Sequence, residues 1–357
     1  MDAVEKKNRD SNLELFRILT MITIVVHHYV VNSGLMWNIH QDYPSFKSLF
    51  LLLLGWGGKT GINCFVLITG YYMCKSHITL KKGLKLLGEI LFYNIAIFCF
   101  FTIYGYTNFS LSSLFYAALP IKSISHGFVS CYLIFFCFIP FLNILVNNMT
   151  KRQHLALLLL CFSFFCILPT LILPNFIFEF RFNYVGWFFV IYFIGSYLRL
   201  YQPFSSTPLS KITMTFILCL FFAWLSVLCF SRIIEPFHWS IDQSYFMVSD
   251  SNKPLAVITA VSAFLFFKKL NLKYNRFINS IAASTFGVLL IHANSDTMRQ
   301  WLWGDILNNV GHYNENIYFH LLISVFMVYS ICTFIDFLRI RYIEKPIFKL
   351  YDSLFSH

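Results

Sequence analysis

The sequence predicts an all-α protein: a polytopic integral-membrane helical bundle of about ten transmembrane helices, with both termini cytoplasmic. Three observations lead there. The 357 residues are 58% hydrophobic and only 12% charged, against roughly 25% charge in a soluble domain. Apolar runs close to the ~20 residues that a bilayer requires recur along the whole chain. Lys and Arg gather on alternate connecting segments, the asymmetry that fixes membrane orientation.

The runs lie at 13–32, 50–74, 86–104, 128–147, 154–173, 184–200, 211–230, 254–269, 277–294 and 317–338. The second is the least regular, because "GWGGKTG" at 55–61 interrupts it and moves its expected start toward Gly61. The eighth and ninth are short. With the N-terminus inside, the inner segments hold Lys6, Lys7 and Arg9, then Lys75, Lys81, Lys82 and Lys85, then Lys151 and Arg152. They go on with Arg199 and Lys211, then Lys268, Lys269, Lys273 and Arg276, and finally Arg339, Arg341, Lys345 and Lys349. That places about 19 cations inside and about 7 outside, with Arg17 left within the first helix. An even number of spans follows. The chain reads as one membrane domain, 1–357, with short cytoplasmic tails at 1–12 and 340–357. "VVNSGLMW" after the first run has no small-x-small cleavage site, so that run is expected to stay as a signal anchor.

The net charge of +11 is explained by this loop bias, and no nucleic-acid partner is expected. The ten Cys residues sit almost entirely in apolar runs, with no Cys-x-x-Cys pair and no His at ligand spacing. They read as small apolar helix residues, with neither disulfide nor metal expected. The outer loops 231–253 and 295–316 mix acids, amides and aromatics. Such surfaces suit an aromatic belt, and equally a sugar face stacked on Trp with its hydroxyls bonded to Asp, Asn or Gln.

The first helix holds the most informative residues. An ionisable group in a bilayer is costly unless it is paired or faces a wet cavity. Arg17 and His28 are eleven residues apart, which brings them within about 20° of one helix face and ~16 Å apart along the axis. His27 points about 80° away. Glu14, three residues before Arg17, is placed to pair with it. One face therefore carries a cation near the cytoplasm and an imidazole deeper in, able to take a proton from an alcohol.

This Arg-x10-His pattern resembles the acyltransferase 3 family of bacterial membrane O-acyltransferases, which opens with an acidic-x-x-Arg motif and a His late in the first helix. Glu14, Arg17 and His28 match it. "GKTGINCFVLITGYYM" (58–73), "CYLIFFCFIPFLN" (131–143), "WFFVIYFIGSYLR" (187–199), "ASTFGVLLIH" (283–292) and the closing "IEKPI" (343–347) are similar to further family segments, in the same order. Two places depart from the pattern. Lys82-Gly83-Leu84-Lys85 stands where relatives carry Arg-x-x-Arg, and Ser130 where they carry an aromatic or His.

The resemblance implies transfer of an acetyl or other short acyl group from a cytoplasmic CoA thioester to a hydroxyl. It involves no resident cofactor and uses acetyl-CoA as co-substrate. It implies a bacterial cytoplasmic (inner) membrane location. The acceptor would be a cell-surface glycan or its lipid-linked oligosaccharide precursor: O antigen, capsule or exopolysaccharide. His28 would be the general base or would itself first accept the acyl group. Arg17 would position CoA or polarise the thioester, Lys82 and Lys85 would hold CoA phosphates, and His292 would face the acceptor. A polytopic transporter or flippase of lipid-linked oligosaccharide is the main rival reading, and a glycan polymerase is a third. Against them stand the lack of an internal repeat and outer loops of only about 20 residues.

Overall fold

The computed structural model describes residues 10–123, 125, 127–171 and 183–355. Lys6, Lys7 and Arg9, and residues 172–173 of the fifth expected span, lie outside the described residues. Among the described residues all regular structure is helical. Helix α1 (Ser11–Val31) leads through a short α2 (Leu35–Asp42) to α3 (Phe46–Gly55) and α4 (Gly57–Met73). Then come α5 (Leu80–Ile103), α6 (Leu111–Ala118), α7 (Phe128–Asn148), α8 (Lys151–Phe162) and α9 (Leu168–Leu171). The second half holds α10 (Tyr184–Tyr201), α11 (Leu209–Ile234), α12 (Pro254–Lys269) and α13 (Arg276–Ala282), followed by α14 (Thr285–His292), α15 (Asp296–Arg299), α16 (Ile317–Arg339) and α17 (Lys345–Phe355).

Small polar residues start these helices. Ser45, Thr79, Ser110, Thr150 and Asn183 each accept a hydrogen bond from a first-turn N–H, which no residue one turn earlier could satisfy. Pro169 shows the same accounting inside the bundle. It has no N–H to give to the carbonyl of Phe165, and the chain widens into a π turn at Ser163–Ile167 just before it. Asn252 donates to that carbonyl at 2.8 Å.

Seven segments among the described residues are long and apolar enough to cross a membrane, and an eighth is added if the bent pair Arg276–His292 and Asp296–Ile306 counts as one. This differs from the ten expected. Helices α10 and α12 stand where spans were expected: α12 has only 16 residues, and α10, with 18, is diluted by four tyrosines, two glycines and Arg199. Much of each is buried among other helices, so neither has to supply a full lipid-facing apolar surface. The expected break at 55–61 reduces to Trp56, whose backbone is still right-handed helical, and Phe46–Met73 forms one 28-residue segment.

Helix α1 is the central element. Its Met21, Ile24, Val25, Tyr29 and Val30 belong to one apolar core with Leu51 of α3, Val288 of α14 and Val325 of α16. Its Leu13 and Phe16 belong to a second core with Val66 of α4, Phe135 of α7, Ile191 of α10 and Phe264 of α12. Helices α4 and α10 approach so closely that a Cβ on Gly195 would come within 2.7 Å of the Leu67 carbonyl oxygen. Small residues at such crossings are how membrane helices gain packing contacts without a hydrophobic driving force.

At the end of the bundle nearest Asp10, a buried ionic cluster joins α5 to the end of α16. Arg339 reaches Asp336 at 2.7 Å, Glu344 at 2.9 Å and Glu89 at 3.1 Å. Tyr93 donates to Asp336 at 2.8 Å. The expected tail at 340–357 continues, as far as Phe355, through a π turn into α17. Asp352 of that helix pairs with Lys81 at 2.5 Å.

Candidate active site

His28 occupies the last turn of α1, and His292 is the final residue of α14. Their rings meet, with His28 Nδ1 3.0 Å from His292 Nε2. The bonding around them fixes the neutral tautomers. His292 Nδ1 lies 2.6 Å from the Val288 carbonyl one turn back in its own helix. A carbonyl only accepts, so the proton of His292 is on Nδ1 and its Nε2 presents a lone pair. His28 Nδ1–H therefore donates to that lone pair, and His28 Nε2 carries a lone pair of its own. Such a second partner behind an imidazole sets both its orientation and its basic nitrogen.

His28 lines a cavity of about 780 Å³, while His292 is fully buried behind it. The chain bends by 96° between His292 and Asp296. Irregular backbone at membrane depth is tolerated where it lines a cavity or is buried in protein, and here Ala293, Asn294 and Arg299 line the cavity. Asn294 donates to Asn94 of α5 at 3.2 Å, and both amides face the cavity. Trp56, Tyr184 and Tyr245 add aromatic wall. Lys59 donates to Tyr184 at 2.6 Å and lies 3.7 Å from Asp250, to which Tyr184 also donates at 3.2 Å.

The structure thus brings His28 and His292 together and leaves the other expected site residues elsewhere. Arg17 is not among the cavity-lining residues. It pairs with Glu14 at 3.5 Å, eleven residues and therefore ~16 Å down the helix from His28. Tyr132 of α7 stands one turn beyond the cavity-lining Phe128, its hydroxyl 3.0 Å from Thr69 Oγ1 and its ring 6.0 Å from Phe286. Lys82 bonds Ser76 Oγ and the His77 carbonyl at 2.7 and 2.8 Å. Lys85 pairs with Glu344 at 2.9 Å, so the two lysines engage different neighbours. Ser130, the other departure, lines the cavity and accepts from the Lys122 backbone N–H at 3.0 Å.

Sequence reasoning missed several cavity residues. His27 was set aside on angle, yet it lines the same cavity, its Nδ1 2.5 Å from the Gly55 carbonyl. Lys59, Asn94, Tyr184 and Arg299 come from four separate segments, and the only advance signal was their polarity within or beside apolar runs. None of the ten cysteines forms a disulfide, and no group of three metal-binding side chains occurs among the described residues.

The described residues form a helical membrane bundle in which two touching imidazoles stand beside a cavity. The particular family follows from comparison: the acyltransferase 3 family, described as an acyltransferase domain, matches residues 10–336. The chain belongs to that family and is a multi-pass membrane acyltransferase. Comparison with curated proteins and with solved structures gave no match.

Proposed function

We propose that this protein is an O-acetyltransferase of the bacterial cytoplasmic membrane. It transfers acetyl from cytoplasmic acetyl-CoA to a hydroxyl of a surface polysaccharide or its lipid-linked precursor, such as O antigen, capsule or exopolysaccharide. The observation that carries this reading is His28, lining the cavity and backed by His292. His28 Nε2 takes the proton of the acceptor hydroxyl as that oxygen attacks the thioester carbonyl carbon. The tetrahedral intermediate collapses, the C–S bond breaks, and the imidazolium returns its proton to the departing thiolate. The ester and free CoA thiol account for every atom. His292 accepts from His28 Nδ1–H throughout and steadies the imidazolium.

Asn94, Asn294 and Trp56 support a sugar acceptor, since amides bond hydroxyls and an indole stacks on a pyranose face. Arg17 lies ~16 Å along α1 from His28, where it would bind the phosphates of CoA while the pantetheine arm carries the thioester toward His28. Lys82 would add charge at that mouth, whereas Lys85 would have to leave Glu344 to do so. Family membership favours this reading over a flippase or a polymerase.

The test uses membranes with matched amounts of the wild type, His28→Ala or Arg17→Gln, supplied with acetyl-labelled acetyl-CoA and the host's lipid-linked glycan. Label enters the glycan with the wild type, is lost with His28→Ala, and requires more donor with Arg17→Gln. Label that enters equally with His28→Ala would overturn the assignment of the base.

A further inference from the structure

The cavity carries more charge than a neutral sugar needs. Three cationic side chains line it, from three separate segments: Lys59 on α4, Lys122 between α6 and α7, and Arg299 on α15. Among the described residues one carboxylate lines it, Asp242, which accepts from Ser240 at 2.8 Å. The counter-ions of the cations stand away from the cavity or in water. Asp250, which is not a lining residue, holds Lys59 at 3.7 Å. Asp296 pairs with Arg299 at 3.0 Å, but its side chain is 95% exposed, where such a pair is weak. No described carboxylate lies within ion-pair distance of Lys122.

Like charges around one low-dielectric space repel one another, and an anion among them relieves that cost. We propose that the acceptor bound in this cavity carries an anionic group, a carboxylate or a phosphate, held by Lys122 and Arg299 beside the hydroxyl that His28 deprotonates. This rests on the reading of the cavity as the acceptor site. Lys59, fixed by Tyr184 and Asp250, belongs to the wall that faces that group. Asn94 and Asn294 then serve the neutral hydroxyls of the same sugar. The arrangement separates two tasks, charge recognition by the cations and hydroxyl orientation by the amides.

Binding of glucose, glucuronate and glucose 1-phosphate to the purified protein without acyl donor tests this. Equilibrium dialysis is run on the wild type and on the Lys122→Gln/Arg299→Gln double variant. The charged sugars bind the wild type about tenfold or more tightly than glucose, the scale of one or two hydrogen bonds to a charged group. The double variant loses that difference, and added salt reduces it in the wild type. A preference for glucuronate alone identifies a carboxylate, and one for glucose 1-phosphate alone a phosphate. Equal binding of all three, including none, overturns the proposal, as does a preference that survives the double substitution. Acetyl transfer is scored separately on the host glycan, so transfer without charge preference fails this inference alone. Charge preference without transfer fails the transferase reading and leaves the anion site standing.

Discussion

His27 and His28 are neighbours in sequence and line the same cavity, but only His28 rests on a second imidazole. His27 Nδ1–H donates to the carbonyl of Gly55, which orients that ring with no second imidazole behind it. A general base contributes roughly 10²–10⁴-fold to rate. His28→Ala is therefore expected to lower transfer by about that factor, and His292→Phe, which strands the His28 Nδ1–H, by about 10². His27→Ala should change it only a few-fold. Rates in membranes with matched protein levels decide, and a larger loss with His27→Ala than with His28→Ala would exchange their roles.

Gly287 faces the carboxylate of Asp336, and a Cβ there would overlap it. Asp336 is completely buried and tied to Tyr93 and Arg339, so it has nowhere to move. Gly287→Ala is expected to destabilise the protein by about 1–3 kcal/mol, the usual cost of overpacking. It should also disturb the adjacent Val288 carbonyl that holds His292. Gly88, in the middle of α5 with nothing within 4 Å of its added Cβ, is the control. Gly88→Ala should be neutral or stabilise by up to about 1 kcal/mol. Thermal unfolding in detergent measures both.

Arg339 serves three carboxylates at once: Asp336, Glu89 and Glu344. Removing one partner of a buried ion cluster costs about 3–5 kcal/mol, because the remaining charges are stranded. Arg339→Met is expected in that range. Arg339→Lys should recover only part of it, since a single ammonium does not reproduce the guanidinium fork. Asp336→Asn should cost less than Arg339→Met, because it removes one acid from a cluster that holds an excess of them. Equal stability of Arg339→Met and the wild type would show the cluster to be energetically idle.

The legibility of these features in the sequence follows their range. The all-helical membrane class and most helix positions depend on local hydropathy and caps, and both were readable. The Glu14–Arg17 pair, three residues apart, was readable for the same reason. His28 and His292 could be singled out individually as polar residues in apolar runs, but their contact spans 264 positions and no local pattern encodes it. The apolar context that marked α10 and α12 as spans does not distinguish a buried helix from one facing lipid. Lys85 is a further case of long range: its ion-pair partner, Glu344, lies 259 residues away.

Asp10 ties the start of α1 to two other helices, bonding Lys268 of α12 at 3.1 Å and Tyr72 of α4 at 3.0 Å. Burial raises its pKa, but the bonds and charge of Lys268, the Tyr72 hydroxyl and the charge of Arg199 outweigh that and hold it below the ordinary value. A carboxyl depressed in the folded state adds stability that is fully present above its unfolded pKa and is lost as the pH falls through the folded one. The wild type should therefore lose thermal stability between about pH 5 and pH 3 more steeply than Asp10→Asn. At neutral pH the variant should be only slightly the weaker, because the site is partly exposed and screened. Superimposable pH profiles would remove Asp10 from this role.

If Arg17 marks the donor mouth as proposed, Tyr132 stands on the way from it to the cavity. Phe65 and Phe128 line the cavity, and one turn further toward Asp10 stand Thr69 on α4 and Tyr132 on α7. The Tyr132 hydroxyl meets Thr69, and its ring meets Phe286 of α14 and the stacked ring of Phe128. On the proposed route, a thioester carried from Arg17 to His28 would pass this side chain and displace it. While in place, the side chain would also keep water from the donor, which is how enzymes suppress hydrolysis of an activated group. Tyr132→Ala is accordingly expected to raise acceptor-independent hydrolysis of acetyl-CoA several-fold. Tyr132→Phe, which loses only the bond to Thr69, worth about 1 kcal/mol, should open more readily without a permanent leak. It should therefore leave hydrolysis low while lowering the donor concentration needed for half-maximal transfer. If Tyr132→Ala hydrolyses no more donor than the wild type and transfers acetyl equally well, the thioester reaches His28 by a route that does not pass Tyr132.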